Sequence, residues 1–413
     1  MVLLAVGIAG AMLRLRCLPV WAVPVAAALA DLAAGAISAG GARAALDPLA
    51  DPIGFLLAAV PLAVLLDRLG FFSAAAAHLT RRGGGLGGLW ALAALVTTVL
   101  NLDASVVLLT PLYVRIARRS GRDPLILALM PVLLACLASS ALPVSNLTNL
   151  IAVSATGAST ASFVAHLGLP SLVAVTVGWL CYRRMPCPLA GATRQPPAGA
   201  GGDPAGLVPG GLPGDDLVED GAGRALAVGG IVVVVVLAGF TAGRQVGLQP
   251  WMVALAGDVV LLGVVRKPVW RAIPAGTALV AASLGLLAAA AVSHLPIDHL
   301  LGGTSTAALA RTAGVTAAAA NVVNNLPALL VVLPALGSRP GPQLWAVLIG
   351  VNMGPVLLVT GSLASLLWLD ALGRLGVKAR PRDFTRAGVQ VGLPAALAGL
   401  GTHLLLHAGG FIS

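Results

Sequence analysis

Residues 101–105, Asn-Leu-Asp-Ala-Ser, and residues 323–327, Val-Asn-Asn-Leu-Pro, are two short polar stretches inside long apolar segments. They occupy matching places in the two halves of the chain, because Asn101 stands ten residues before Pro111 and Asn324 stands ten before Pro334. Irregular backbone at membrane depth is tolerated only where it is buried in protein or lines a water-filled cavity. Paired interruptions in two repeats indicate the binding site of a secondary transporter.

A second pair of polar stretches follows one apolar segment later in each half, at residues 145–149 and 360–365. Asn and Ser cap helix N-termini by accepting hydrogen bonds from backbone N–H groups. Pro143 and Pro355 each precede one of these stretches and disfavour a continuous helix through it. We therefore predict four polar breaks, numbered in chain order: the first break (101–105), the second (145–149), the third (323–327) and the fourth (360–365).

Composition predicts an all-α polytopic membrane protein. Of the 413 residues, 58% are hydrophobic and 10% are charged, and the mean hydropathy is +0.97. Several stretches approach the ~20 apolar residues that a helix needs to cross a bilayer. We expect a multi-pass protein of the bacterial inner membrane, in contact with the lipid bilayer.

The net charge of +10 does not indicate binding to nucleic acid, because the basic residues lie in short clusters between apolar segments. Cytoplasmic loops of membrane proteins carry such clusters. The clusters are too frequent for simple alternating spans, so re-entrant hairpins are expected. The clusters are Arg14/Arg16, Arg81/Arg82, Arg115/Arg118/Arg119/Arg122, Arg183/Arg184, Arg266/Lys267/Arg271 and Lys378/Arg380/Arg382/Arg386.

The chain divides into a first transmembrane half (1–185), a linker (186–223) and a second transmembrane half (224–413). The linker is rich in Pro, Gly and acidic residues, a composition that cannot bury enough apolar surface to fold. Because the breaks recur in both halves, two inverted repeats with re-entrant hairpins and broken helices are expected. Apolar segments lie near 1–13, 18–38, 52–66, 86–100, 104–117, 125–142, 159–182, 225–243, 250–265, 274–293, 305–336, 341–351, 354–370 and 386–408.

The four breaks supply the predicted solute-binding residues. Half-helix N-termini carry partial positive charge and free N–H donors, and nearby amides and hydroxyls can bind a small polyhydroxylated or anionic solute. A single Asn or Ser of this kind has an alternative role in capping a helix or joining two helices. The predicted residues are Asn101, Asp103, Ser105, Ser145, Asn146, Thr148, Asn149, Asn324, Asn325, Thr360, Gly361, Ser362 and Ser365.

Two carboxylates inside apolar segments are candidates for proton coupling. An ionisable residue at membrane depth is costly and is a functional-site hypothesis by default. Asp103 lies in the first break, and its alternative role is a water-facing cap at a hairpin tip. Asp258 lies in the apolar run 253–265, where a structural role is the alternative.

Enzymatic chemistry is not indicated. The sequence has no serine triad, no metal-ligand cluster and no phosphate-binding loop with a Lys, so ATP dependence would require a partner. Cys17, Cys136, Cys181 and Cys187 show no zinc or redox spacing. We expect no enzyme activity and no cofactor.

Five stretches, in order from about residue 50 to the C-terminus, resemble the arsenite/antimonite efflux permeases. This family belongs to the ion transporter superfamily, whose members share a citrate-transporter-like domain. Asp103 falls at the family's acidic position in the first break, whereas Leu102 and Ala104 replace its usual neighbours. Uncharged residues 352–356 replace an acidic residue and a Lys. The five stretches are 64–72 (VLLDRLGFF), the first break with Leu109-Thr110-Pro111, 142–149 (LPVSNLTN), 321–327 (NVVNNLP) and 354–369.

The resemblance implies two inverted repeats with the solute between the breaks. It also implies export of trivalent arsenic or antimony hydroxides, usually against a proton gradient and in some members with a separate cytoplasmic ATPase subunit. A homodimer is a further candidate assembly. The alternative is a Na⁺- or H⁺-coupled transporter of a small organic anion such as a di- or tricarboxylate, which relatives in the superfamily carry.

Overall fold

The computed structural model describes residues 2–13, 18–79, 85–185, 219–292, 301–337 and 340–412, which form helices and no strands. The prediction of an all-α polytopic membrane protein is confirmed. In chain order the helices are α1 Val2–Leu13, α2 Ala22–Ala33, α3 Ala39–Arg68, α4 Phe71–Leu79, α5 Gly85–Leu100, α6 Leu102–Arg119, α7 Pro124–Leu137, α8 Leu147–Thr156, α9 Thr160–Tyr182, α10 Glu219–Ala242, α11 Pro250–Val265, α12 Ala275–Val292, α13 Thr306–Val323, α14 Asn325–Val332, α15 Pro342–Met353, α16 Leu363–Arg374 and α17 Pro381–Ala408.

Five stretches of the described chain are long and apolar enough to cross a membrane alone: Ala39–Arg68, Thr160–Tyr182, Gly221–Ala242, Trp270–Ala291 and Pro381–Ala408. The remaining apolar helices are shorter. Four of them, α5, α7, α13 and α15, are each followed by a polar break and then by another helix. All four predicted breaks therefore interrupt helices.

Helix α3 is longer than the sequence predicted. We expected an apolar segment at 52–66, but the helix begins at Ala39 and contains Pro48, Pro52 and Pro61. The predicted segment left out residues 39–51, which include Pro48 and the acidic residues Asp47 and Asp51. Packing outweighs that local preference, because α3 lies against α11 and α12, and Trp251 of α11 donates a hydrogen bond to Asp51 (3.1 Å).

The predicted linker and two of the cysteines lie largely outside the described residues. Residues 186–218 fall in this gap, whereas residues 219–223, which we assigned to the linker, form the start of α10. Cys17 and Cys187 also lie outside the described residues. The division of the chain into two halves around a flexible linker stays a prediction.

Side-chain hydrogen bonds bring many basic helix ends together on one face. Arg118 near the end of α6 donates to Leu375 O, directly after α16 (2.6 Å), and Arg68 at the end of α3 donates to Pro268 O, just after α11 (2.9 Å). Tyr182 at the end of α9 donates to Ile126 O at the start of α7 (2.8 Å). We call this side the basic face, and the positive-inside rule assigns it to the cytoplasm.

The opposite ends of other helices meet on the second face. His407 at the end of α17 donates to Thr304 O, just before α13 (2.9 Å). Gln343 at the start of α15 donates to Gly303 O (2.6 Å). We call this side the outer face.

The two halves have inverted topology. Helix α5 starts at the basic face, where Trp90 packs against Tyr182, and α6 returns there, so α5–α6 is a re-entrant hairpin with its tip at Asn101. Helix α13 starts at the outer face, and α14 leads back to α15 on the same face, so α13–α14 is the inverted hairpin with its tip at Asn324. Helices α7–α8 and α15–α16 pass through the membrane in opposite directions. This arrangement agrees with the predicted inverted repeats.

Labelling of single cysteines tests the inverted topology. In a variant without native cysteines, Lys378→Cys lies on the basic face and Thr304→Cys on the outer face, both at exposed positions. In intact cells, a membrane-impermeant maleimide should label Thr304→Cys directly and Lys378→Cys only after permeabilisation. Labelling of both positions from the same side would contradict the topology.

Candidate solute-binding site

The tips of the two hairpins share an unusual backbone conformation. Asn101 has φ 131° and Asn324 has φ 79°, and only one other non-glycine residue among those described, Arg266, has positive φ. The Asn101 side chain accepts a hydrogen bond from Asp103 N (2.8 Å), and the Asn324 side chain accepts one from Leu326 N (3.3 Å). These caps begin α6 and α14. Backbone strain of this kind concentrates at functional sites.

The second and fourth breaks are matched in the same way. Asn146 and Ser362 both have extended backbone and precede the second helices of their pairs, α8 and α16. Asn146 accepts from Thr148 N (3.2 Å), and Ser362 accepts from Ser365 N (3.3 Å). An Asn or Ser side chain therefore caps the second helix at each of the four breaks.

Each hairpin is attached to its broken helix by corresponding hydrogen bonds. Thr98 in the first half donates to both Ala94 O and Ala138 O (2.9 and 3.1 Å). Asn321 in the second half donates to both Ala317 O and Gly354 O (2.9 and 2.8 Å). The same contact thus recurs with different side chains. This recurrence supports a repeat relationship between the two halves that residue identity alone would miss.

A cavity of about 320 Å³ lies where the four half-helices begin. The first turns of α6, α8, α14 and α16 line it, so four N-termini contribute their partial positive charge and backbone N–H groups. Its described lining residues are Ile8, Ala11, Met12, Val20, Trp21, Leu102, Asp103, Asn146, Leu147, Thr148, Gly276, Thr277, Val280, Leu284, Val323, Asn324, Asn325, Leu326, Pro327, Leu363, Leu366 and Leu367.

The cavity extends toward the basic face. Gly276 lies in the first turn of α12, which follows Arg271, and Met12 lies in the last turn of α1. Trp21 packs near Gly276 at this end of the cavity. The structure therefore corresponds to a state in which the cavity lies toward the basic face.

Most of the lining is apolar, and Asp103 is the single ionisable side chain among the described lining residues. Its Oδ1 atom is buried and has no hydrogen-bond partner in the described part of the chain. The amide of Asn325 also lines the cavity and forms no hydrogen bond with other described residues. The cavity lining therefore contains the carboxylate of Asp103 and the amide of Asn325.

The structure places the predicted residues in two groups. Asp103, Asn146, Thr148, Asn324 and Asn325 line the cavity. The others do not line it: Asn101, Ser105, Ser145, Asn149, Thr360, Gly361, Ser362 and Ser365.

Several residues of the second group stabilise the conformation of the breaks through hydrogen bonds and close packing. The Ser105 hydroxyl accepts from Thr97 (2.8 Å), and the Ser145 hydroxyl donates to Thr98 O (2.6 Å). A Cβ on Gly361 would meet Pro355 at 2.9 Å, so a larger residue there would push the fourth break apart. These positions shape the cavity without facing it, and their roles in solute binding stay predictions.

Asp258 lies outside the cavity. It is buried in α11, which packs against α3, and its Oδ1 has no hydrogen-bond partner in the described part of the chain. Its neighbour Gly257 packs against Leu62 of α3. A role for Asp258 in transport would have to act through helix packing.

Asn352, at the end of α15, is the main residue that the sequence analysis missed. Its side-chain oxygen accepts from Asn146 Nδ2 (3.0 Å) and from the Thr148 hydroxyl (2.7 Å), and its Nδ2 donates to Asn149 Oδ1 (2.6 Å). All four side chains are buried. This network joins the two halves at the cavity. The sequence signal for Asn352 was a polar residue at a position where the arsenite/antimonite efflux permeases tend to carry charge.

The two hairpin tips differ in one contact. Asn324 Nδ2 donates to Thr360 O in the fourth break (3.2 Å). Asn101 Nδ2 is buried, with 1% of the residue exposed, and has no partner in the described chain. The Asn324 amide thus attaches the second hairpin to its broken helix, whereas the Asn101 amide makes no such bond for the first hairpin.

Inverted hairpins, broken helices and a cavity where the half-helices meet define the chain as a membrane transporter of a small solute. The sequence model of the citrate transporter family, CitMHS, matches residues 1–369, and the chain belongs to that family. It is similar to arsenical pump membrane proteins of Yersinia enterocolitica and Escherichia coli K12, at 29% identity over 410 residues and 27% over 409, which is 91% of this chain and 90% of each relative. It also matches an uncharacterised transporter of Mycobacterium tuberculosis, at 27% identity over 202 residues, 43% of this chain and 47% of that protein.

Asn352→Ala tests the network between the halves. The change leaves polar groups of Asn146, Thr148 and Asn149 buried without their partner, and each such group costs about 1–3 kcal/mol. We expect the purified variant to unfold several degrees below the unaltered protein in a thermal melt.

Cys136→Ala is the matched control for this experiment. By alignment of the second and fourth breaks, Cys136 occupies the position in the first half that corresponds to Asn352, and its thiol donates only a weak hydrogen bond to Pro355 O (3.6 Å). Equal melting temperatures for Asn352→Ala and Cys136→Ala would show that the network contributes little to stability.

Proposed function

We propose that this transporter exports arsenite and antimonite and that proton movement drives the export. The single observation that carries the proposal is the lining of the cavity: the carboxylate of Asp103 and the amide of Asn325 lie among otherwise uncharged described residues. A neutral trihydroxide has hydroxyl groups that both donate and accept hydrogen bonds. Asp103 would accept from such a hydroxyl, and Asn325 would donate to one.

The similarity to arsenical pump membrane proteins over 91% of the chain supports this substrate class. The proposed site differs from thiol-based arsenic binding. Cys136 is buried away from the cavity lining, and Cys181 lies near the end of α9. Among the described residues, oxygen and amide groups rather than thiols would therefore hold the solute.

The second candidate is a Na⁺- or H⁺-coupled transporter of a small organic anion such as a di- or tricarboxylate. Four half-helix N-termini at one cavity favour an anion, and the family's description as citrate transporters agrees with this. A carboxylate is usually also paired with a cation, either Arg in a bidentate contact or Lys as a point charge. Among the described lining residues there is neither, and the carboxylate of Asp103 would repel an anionic solute.

For proton coupling we favour Asp103 over Asp258. Asp103 lies in the cavity itself, where solute and proton can compete for the same oxygen atoms, so that occupancy by one opposes the other. Asp258 remains the alternative proton carrier. A cytoplasmic ATPase subunit stays a prediction from the resemblance, and a homodimer stays a prediction.

Expression in an arsenite-sensitive bacterial host tests the substrate. We expect cellular arsenic to fall relative to the same host with an empty vector, because efflux competes with uptake. Asn325→Leu keeps the side chain's approximate size and removes its hydrogen-bonding groups. Cells with this variant should accumulate more arsenic than cells with the unaltered protein.

The control for this experiment is the amount of protein in the membrane, measured for each variant. Unchanged arsenic accumulation with the protein present would contradict the proposal. Sodium-dependent uptake of citrate by proteoliposomes would then favour the second candidate.

Asp103→Asn tests the coupling. The substitution keeps the size of the side chain and its hydrogen-bonding capacity but removes the titratable group, and a group can link proton binding to a conformational change only if it binds protons differently in the two states. We expect proteoliposomes with Asp103→Asn to retain arsenite exchange across the membrane and to lose accumulation driven by a pH gradient.

The matched control is Asp47→Asn, which removes a carboxylate from the exposed i,i+4 pair with Arg43 on α3. Exposed pairs of this kind contribute little to stability, so this variant should behave like the unaltered protein. Normal gradient-driven flux in Asp103→Asn would exclude Asp103 from coupling and leave Asp258 as the candidate.

A further inference from the structure

Three histidines lie on the outer side of the contact between α9 and α17. His166 belongs to α9, and His403 and His407 are one helical turn apart on α17. Helices α9 and α17 are the last helices of the two halves, and they pack closely against each other: a Cβ on Gly399 would meet Pro170 O at 3.1 Å. None of the three histidines lines the solute cavity.

His403 is the central member of this histidine cluster. It is 1% exposed, and its Nδ1 donates to His166 O (3.3 Å). That bond places the proton of the neutral ring on Nδ1 and leaves the lone pair on Nε2. The Nε2 atom is buried and has no hydrogen-bond partner in the described part of the chain. Burying an acceptor without a partner costs free energy, so the unpaired Nε2 atom of His403 calls for an explanation.

The neighbouring helices give His403 a defined electrostatic setting. His166 and His407 are the ionisable groups close enough to interact with it. His166 stacks on Trp345 of α15, with ring centroids 4.3 Å apart, and His407 donates to Thr304 O at the outer face. The ionisable residue of α13 near this face, Arg311, is exposed and donates to Gly302 O. Helix α15 carries no ionisable side chain.

The backbone of α9 explains how the contact with His403 forms. Residues Val164–Gly168 form a π-helical turn, and residues Gly388–Gly392 form a corresponding one in α17. Both turns are followed by Leu-Pro, so the feature recurs in the two halves. π-Helical turns inside α-helices are frequent at functional sites. In α9 the turn contains His166, whose carbonyl group receives the bond from His403.

We propose that His403 is a proton-binding site on the outer half of the transporter, with His166 and His407 as its partners. The Nε2 atom is sealed from water here, so a proton can reach it only when α9 and α17 change their relative position. Because these helices belong to different halves, proton occupancy of His403 favours one arrangement of the two halves over the other. This proposal rests on the proposed transport function for its role, but proton binding itself can be measured without any solute.

The direct test is NMR of the protein labelled with ¹⁵N-histidine in nanodiscs. The chain has six histidines, so the imidazole signals can be resolved, and the His403 signal is the one that disappears in His403→Gln. We expect this signal to change from the neutral to the doubly protonated form within about pH 4 to pH 8. A His403 signal that stays neutral over this range in the folded protein would overturn the proposal.

Flux measurements show whether the bound proton matters for transport. Gln at position 403 can still donate to His166 O, so a purely structural role would survive His403→Gln. We expect gradient-driven flux of arsenite to fall at least about tenfold while arsenite exchange persists. His78→Gln, in α4 and outside the cluster, should leave both unchanged.

The outcomes separate the two proposals. Titration of His403 without arsenite transport by the unaltered protein would contradict the proposed substrate and leave the proton site standing. Arsenite transport that is equally pH-driven in His403→Gln and in the unaltered protein would contradict the role of this site in coupling.

Discussion

The structure depends on supplying hydrogen-bond acceptors for the backbone N–H groups that are left free where helices break inside the membrane. Each of the four helix pairs ends one helix and begins another at membrane depth, where water is not available to every free N–H group. Asn101, Asn146, Asn324 and Ser362 meet this need by capping the second helix of each pair. Because the capped ends converge, their remaining N–H groups and partial charges surround one cavity. The capping requirement and the solute site therefore have the same structural origin.

The positions of the breaks could be predicted from sequence because capping uses few residue types and leaves a polar signal in apolar segments. The direction of each side chain could not be predicted. Asn325 faces the cavity. Asn149 is the same residue type, but its amide donates to Ser139 O and accepts from Asn352. The partnership of Asn352 with Asn146 joins residues that are 206 positions apart, and nothing local indicates it. The extension of α3 from residue 51 back through Pro48 to Ala39 was missed for a similar reason, since packing overrides the local preference.

The two halves are built alike but do not make identical contacts. Thr98 and Asn321 use different side chains for the same pair of hydrogen bonds, which shows how the repeats have kept geometry without keeping sequence. Asn324 is bonded to Thr360 O, whereas Asn101 Nδ2 has no partner in the described chain. Inverted repeats in a transporter open to one side are expected to be unequal in this way, because alternating access exchanges their roles. The cavity's extension toward the basic face agrees with such a state.

The most direct test of the account is the position of a bound antimony atom. Antimony scatters anomalously, so crystals of the protein grown with antimonite reveal the solute without reference to any transport assay. The account predicts an anomalous peak in the cavity between Asp103 of α6 and Asn325 of α14, within hydrogen-bonding reach of both side chains through its hydroxyl groups. A peak at Cys136 or Cys181, or no peak in the cavity at saturating antimonite, would contradict it.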